Sequence, residues 1–154
     1  MLKVMKIIGL GSLCCAVFVL AHAPAHSEED TLARMKAGKA AFDVECEKCH
    51  TRKYADDVTY SRDEWELTMG MMRSNGAQFT DEQRAVMVDF LTAKSLLDSK
   101  CSVCHKVDRP LSKAKSPEDW EATVTRMSGK KPGHLTDEEI DVLASYLAAE
   151  RPAE

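Results

Sequence analysis

The amino-acid sequence predicts an all-α protein made of two tandem, compact helical modules. Apolar residues recur at helical spacing through most of the chain after its first 27 residues, and no segment there alternates apolar and polar residues as a strand would. In addition, residue n resembles residue n+55 over much of the chain. Self-similarity at a fixed spacing indicates one structural unit present twice.

A cysteine motif and two helical patterns carry the repeat. After one extra residue in the second copy, the spacing changes from 55 to 56. We therefore expect a first module over residues 28–98 and a second over residues 99–154. The matched residues, first copy before second, are Cys46, Cys49 and His50 with Cys101, Cys104 and His105; Trp65 with Trp120; Met72 with Met127; Thr80 with Thr136; and Phe90 with Tyr146.

Helix-start patterns divide each copy into two helices. Ser61 and Ser116 precede the first helix of each copy, and Thr80 and Thr136 precede the second. Hydroxyl residues followed three positions later by an acid or amide are typical N-caps. A further helix over about residues 30–45 is predicted before the first cysteine motif. We expect glycines, Gly76 and Gly129, at the ends of the two tryptophan-bearing helices.

The first 25 residues read as a secretory signal peptide. Lys3 and Lys6 precede an uncharged, mainly apolar run over residues 7–20, and small residues follow. Cleavage is expected after Ala25 or Ser27, with export of a soluble protein to the periplasm. Four of the six cysteines remain after cleavage, and no later stretch has the length of a membrane span.

The charge of the mature chain argues against nucleic acid as a partner. Loss of the two signal-peptide lysines leaves 19 basic and 25 acidic residues, a net charge of −6. Residues 100–154 are nearly neutral, with 9 basic and 10 acidic residues. Most of their cations lie in two groups, one after the second cysteine motif and one later in the same copy. They are Lys106, Arg109, Lys113, Lys115, Lys130 and Lys131. We expect both loops to border the second cofactor and to form either a docking surface or an ordinary solvated surface.

Three chemistries use paired cysteines: a disulfide framework, a zinc site and covalent haem. Disulfides and a four-cysteine zinc site leave the histidine after each pair unexplained. Covalent haem accounts for every position, because two thiols add to the haem vinyl groups and the histidine ligates the iron. The sequence therefore predicts two haem c groups. Their attachment residues are Cys46, Cys49, Cys101 and Cys104, and their proximal ligands are His50 and His105.

The distal iron ligands are predicted by the repeat. Met72 and Met127 are aligned methionines, each 22 residues after its histidine, whereas Met69, Met71 and Met87 align with residues that lack a thioether. The alternative is that Met72 and Met127 are core residues. His134 is a rival ligand for the second haem, although a solvated loop is the expected place for it.

Trp65 and Trp120 are expected to pack against the haems or to anchor the core. In the first case each indole N–H is expected to reach a haem propionate.

The motif pairs, the helix containing Phe42 and the closing helices resemble a dihaem cytochrome c of the class I superfamily. More narrowly, they are similar to the compact modules in the dihaem subunit of quinohaemoprotein amine dehydrogenases. The resemblance implies an electron carrier, not an enzyme, that exchanges single electrons with redox proteins. A periplasmic dehydrogenase or a membrane oxidoreductase fits as partner. The alternative is a haem enzyme or sensor with one open iron site, for which His134 with Asp137 or Glu138 is the nearest distal acid–base pair.

Overall fold

A computed structural model describes residues 28–153, and the predicted signal peptide with its cleavage site lies outside them. The all-α prediction is confirmed: the described residues form seven α-helices and one short 3₁₀-helix, with no strand. One isolated β-bridge joins Lys115 and Pro152. The helices are α1 (Glu28–Glu45), the 3₁₀-helix (Cys46–Lys48), α2 (Lys53–Asp56), α3 (Arg62–Ser74), α4 (Asp81–Cys101), α5 (Asp108–Leu111), α6 (Pro117–Ser128) and α7 (Asp137–Glu150).

The four predicted N-caps begin the helices that build the two copies. Reciprocal capping boxes, in which cap and third residue bond to each other's backbone, start α3, α4 and α7. Ser116 caps α6, where Pro117 occupies the first turn and loses no hydrogen bond there. Local side-chain chemistry therefore fixes where α3, α4, α6 and α7 start, as the sequence predicted.

Helix α1 packs against both α4 and α7, and α3 and α6 complete the core from α4 and α7 outwards. Gly38 lies where α1 crosses α4 most closely: a Cβ atom there would lie 2.3 Å from the carbonyl oxygen of Val86. Beside this crossing the ring of Phe90 lies 5.9 Å from that of Phe42 and 5.0 Å from that of Tyr146. One aromatic from each helix thus occupies the centre of the molecule.

Helix α4 serves both copies of the repeat. The predicted boundary between residues 98 and 99 falls inside this continuous helix. Its first half carries Phe90, which corresponds to Tyr146 in α7. Its second half corresponds to α1 instead: Ala93 matches Gly38, and Leu97 matches Phe42. All of these residues are buried. The closing helix of the first copy is therefore also the leading helix of the second.

The ends of the two tryptophan-bearing helices differ. After α3, Gly76 adopts a φ of +100°, a conformation that favours glycine. After α6, Gly129 stays right-handed at φ −63°, and the left-handed residue is Gly133 at φ +75°. The loop that contains the extra residue of the second copy therefore turns four residues later than predicted.

Within residues 28–153, no helix is both long and apolar enough to cross a membrane.

Candidate haem sites

The first cysteine motif follows directly on helix α1. Cys46 begins the 3₁₀-helix and is half-buried, while Cys49 is exposed. Burial raises the pKa of the Cys46 thiol to about 11, and the nearby carboxylates of Glu45, Asp43 and Glu47 add to the effect. The Cys46 thiol is therefore neutral and packs towards apolar surroundings.

The second motif starts at the last residue of α4. Cys101 is half-buried and Cys104 is exposed, as in the first copy. Burial again raises the pKa of the inner thiol, with a further contribution from Asp98. Each motif thus presents one inner and one outer thiol.

All four cysteines among the described residues are free thiols. Within the same residues, no group of three or more His, Cys, Asp or Glu side chains has the arrangement of a metal site.

The two motif histidines have the same hydrogen bond. The Nδ1 atom of His50 lies 3.1 Å from the carbonyl oxygen of Thr51, and that of His105 lies 3.0 Å from the carbonyl oxygen of Lys106. Because a carbonyl only accepts, the proton of each ring is on Nδ1, which leaves the Nε2 lone pair free. Metal-bound histidines are commonly oriented in this way by a bond from the other ring nitrogen.

A cavity of about 570 Å³ lies beside the first motif. Its walls include Cys46, Cys49, His50, Trp65 and Met72. Met69 of α3 and Leu91 of α4 add apolar surface to the wall, and Glu45 and Arg52 line it as well. The cavity is within the range of small-molecule and cofactor sites, about 300–1,000 Å³.

A second cavity, of about 280 Å³, lies beside the second motif. It is lined by Cys101, Cys104, His105, Trp120 and Met127, which are the counterparts of the residues named for the first cavity. Long lysine and arginine side chains surround it, and such chains can swing outwards to admit a larger group. Two thiols, a free imidazole nitrogen and an apolar wall in each cavity fit a covalently attached haem.

The structure separates the methionines of the first copy into two groups. Met69 and Met87 are buried, with 4% and 0% exposure, as core residues are. Met72 is half-buried in the wall of its cavity, as Met127 is in the second. The assignment of Met72 and Met127 as distal ligands stays a prediction.

The indole N–H groups of both tryptophans have acceptors within the protein, and the expected bonds to haem propionates stay a prediction. The indole N–H of Trp65 donates to the hydroxyl of Ser95 at 3.0 Å, and that of Trp120 donates to the carbonyl of Arg151 at 3.2 Å. Buried N–H groups need a partner, and protein atoms supply it here. Both rings are buried and still line the cavities, so each anchors the core and forms part of the pocket wall.

His134 lies in the loop before α7, as expected, but it is half-buried there and has partners in the protein. Its Nε2–H donates to the carbonyl of Lys100 at 3.0 Å, and the Lys100 ammonium donates to the carbonyl of His134 at 3.1 Å. Lys100 also forms an ion pair with Glu139 at 2.8 Å. These contacts fix the loop before α7 to the end of α4 and keep Nε2 of His134 occupied.

Comparison with known protein families agrees with this geometry for the second copy. Residues 91–153 match a family model described as quinohemoprotein amine dehydrogenase A, alpha subunit, haem binding. The match runs from the middle of α4 to the end of the described chain and includes the second motif, Trp120 and Met127. Searches of curated proteins and of solved structures gave no match. The second copy is therefore similar to a cytochrome-like haem-binding module.

Proposed function

We propose that the chain is an exported, periplasmic c-type cytochrome with two covalent haems that passes single electrons between redox proteins. The observation that carries the proposal is that one site is built twice. Each copy joins an inner and an outer thiol, a histidine with a free Nε2, a half-buried methionine and a tryptophan around one cavity. The family match supports haem at the second site, and the repeat extends it to the first.

When bound, haem supplies a one-electron Fe(III)/Fe(II) couple, and the protein sets its potential and its access to partners. The cysteines hold the group covalently, and His50 and His105 provide Nε2 as the proximal ligand. Met72 and Met127 would supply thioether sulfur to the iron, which would favour the reduced state and raise the potential. Buried Trp65 and Trp120 keep water from one wall of each cavity.

The hydrogen bonding of His134, the nearest candidate for a distal acid or base, favours an electron carrier over an enzyme. Among the described residues, His134 is the histidine outside the two motifs, and its Nε2–H is bound to a backbone carbonyl. A distal acid or base needs a nitrogen free to exchange protons with substrate. The expected partners are redox proteins such as a periplasmic dehydrogenase or a membrane oxidoreductase.

Helix α4 supports electron exchange within the molecule. Leu91 lines the first cavity and Cys101 lines the second, and both belong to this helix. Ten residues of α-helix rise about 15 Å, so the two cavities are joined by a short rigid element.

Intact mass of the exported protein tests the proposal. We expect the processed polypeptide plus two haems, which acid–acetone does not extract because thioether bonds hold them. A Cys46→Ala/Cys49→Ala variant and a Cys101→Ala/Cys104→Ala variant are each expected to carry one haem fewer. A mass with no haem, or with haem that acid–acetone removes, contradicts the proposal.

A further inference from the structure

The mouths of the two cavities differ in charge at equivalent positions. Five cationic residues that line the second cavity have uncharged counterparts 55 residues earlier, and those counterparts line the first cavity. We name these five residues of the second copy the cationic rim. The pairs, cation first, are Arg109 with Tyr54, Lys113 with Val58, Lys115 with Tyr60, Arg126 with Met71, and Lys130 with Asn75.

Most of the cationic rim is free to meet a partner. Arg109, Lys113, Arg126 and Lys130 are exposed, and among the described residues none of them has an acidic side chain within ion-pair distance. Lys115 is less available than the other four, because it is half-buried and its ammonium donates to the Thr123 hydroxyl at 2.6 Å. No acidic residue among those described lines the second cavity. The positive charge of this mouth is therefore not neutralised locally.

The mouth of the first cavity has a different surface. Tyr54 and Met71 are 72% and 58% exposed there, and they give it an apolar edge. Glu45 and Arg52 line this cavity too, but each is ion-paired with a neighbour. Unpaired surface cations, by contrast, steer an anionic partner during diffusion. Encounter with an acidic partner is thus directed to one of the two sites.

We propose that the cationic rim is the docking surface for the acidic face of a redox protein, which exchanges one electron with the second haem. This inference rests on the proposed function. The iron changes between Fe(II) and Fe(III), and the partner's cofactor gains or loses the same electron. A protein fits better than an anionic membrane because the positive patch belongs to a chain that is acidic as a whole, with a net charge of −4. A broad negative plane would also meet the acidic remainder of the molecule.

The test measures electron transfer from the reduced two-haem protein to an oxidised acidic blue-copper protein by stopped flow. We expect the rate to fall as salt rises from about 0.01 M to about 0.5 M, because salt screens exposed charges. Lys113→Glu/Lys130→Glu is expected to slow the reaction about tenfold at low salt, a typical size for lost steering. At high salt the variant and the unmodified protein should react at similar rates.

A matched control separates local charge from net charge. Lys36→Glu/Lys53→Glu makes the same change in net charge on exposed lysines of the first copy. It is expected to leave the rate within about twofold, because these lysines lie outside the docking surface. Equal slowing in both variants, or a rate indifferent to salt and to the rim, overturns the proposal.

Three further measurements make the outcome specific. Retention on a column of the copper-free acidic protein reports docking without electron transfer, and it should weaken only in the rim variant. Haem content and both potentials are measured first, so that missing haem counts against the proposed function and not against docking alone. If the rim variant transfers electrons at the unchanged rate but with a shifted haem potential, the rim cations pair with haem propionates and not with a partner. If the unmodified protein binds vesicles containing phosphatidylserine, the rim is a membrane-binding surface. Either result overturns the proposal.

Discussion

The first and second cavities share their chemistry but differ at their mouths. In both, two cysteines, a histidine, a tryptophan and a methionine occupy equivalent positions, and each histidine has the same Nδ1 bond. Around these shared residues the first cavity has tyrosines and methionine where the second has lysines and arginines. On the proposed function, the residues that would hold the haem are shared by the two sites, and the residues that would meet a partner are not.

The strongest test of the shared chemistry concerns the methionines. Met72→Ala and Met127→Ala are each expected to turn one low-spin iron into an open or water-bound one and to lower its potential, because a thioether ligand is lost. Met69→Ala and Met87→Ala should keep both low-spin spectra and destabilise the fold by about 2–5 kcal/mol, as buried truncations do. Optical and magnetic spectra of both oxidation states measure the first effect, and denaturant unfolding measures the second.

An unchanged spectrum in the Met72 variant would show that the two sites are ligated differently. The same result in Met127→Ala would return attention to His134 as the ligand of the second haem.

A second test concerns the helix crossings, where Gly38 in α1 corresponds to Ala93 in α4. Gly38→Ala places a Cβ atom 2.3 Å from the Val86 carbonyl oxygen and 2.7 Å from the Cβ of Phe90, so the backbones of α1 and α4 must separate. We expect a loss of about 1–3 kcal/mol in the free energy of unfolding. Gly70 is the control, because nothing lies within 4 Å of a Cβ built there.

Gly70→Ala is expected to stabilise helix α3 by up to about 1 kcal/mol, through helix propensity alone. Urea unfolding of the two variants should therefore give opposite signs. Equal effects would mean that the close crossing at Gly38 does not limit packing.

The smallest expected effect concerns the caps of α4 and α7, where Gln83 corresponds to Glu139. The hydrogen bond from Lys100 lowers the pKa of Glu139, and the backbone N–H of Thr136 adds to this. A lowered pKa in the folded state stabilises the protein above the ordinary glutamate pKa, and this contribution is lost as the pH falls through the folded pKa. Glu139→Gln should therefore cost less than about 1 kcal/mol at neutral pH, because the pair is partly exposed.

Below the folded pKa of Glu139, the variant and the unmodified protein should unfold at the same urea concentration. A difference that persists in acid would show that packing, and not charge, accounts for the effect of Glu139.

Much of the fold was predictable because its determinants are local. The N-caps at Ser61, Thr80, Ser116 and Thr136 are short patterns, and the repeat made each visible twice. Packing of α1 against α7 was not predictable, because helices so far apart in sequence leave no local pattern of their contact.

The sites show the same division between local and distant determinants. Which residues meet at each cavity followed from the repeat, whereas the hydrogen-bond partners of Trp65, Trp120 and His134 did not. Ser95, Arg151 and Lys100 are 30, 31 and 34 residues away from them, and nothing in the sequence marks them as acceptors. Most of the cationic rim was visible in the sequence, but Arg126 was not singled out there, and Lys106, which was, does not line the second cavity. Only the structure shows that the first-copy counterparts of the rim surround a cavity.

The sharing of α4 between the two copies fixes their relative phase. One residue inserted between Leu91 and Cys101 would turn everything beyond it by about 100° and move it by about 1.5 Å. The second motif would then face a different side of α1 and α7. The loop between α6 and α7 has absorbed an extra residue without such a rotation, because nothing rigid passes through it. Length changes between the copies are therefore confined to the loops, and the pitch of one helix sets the angle between the two sites.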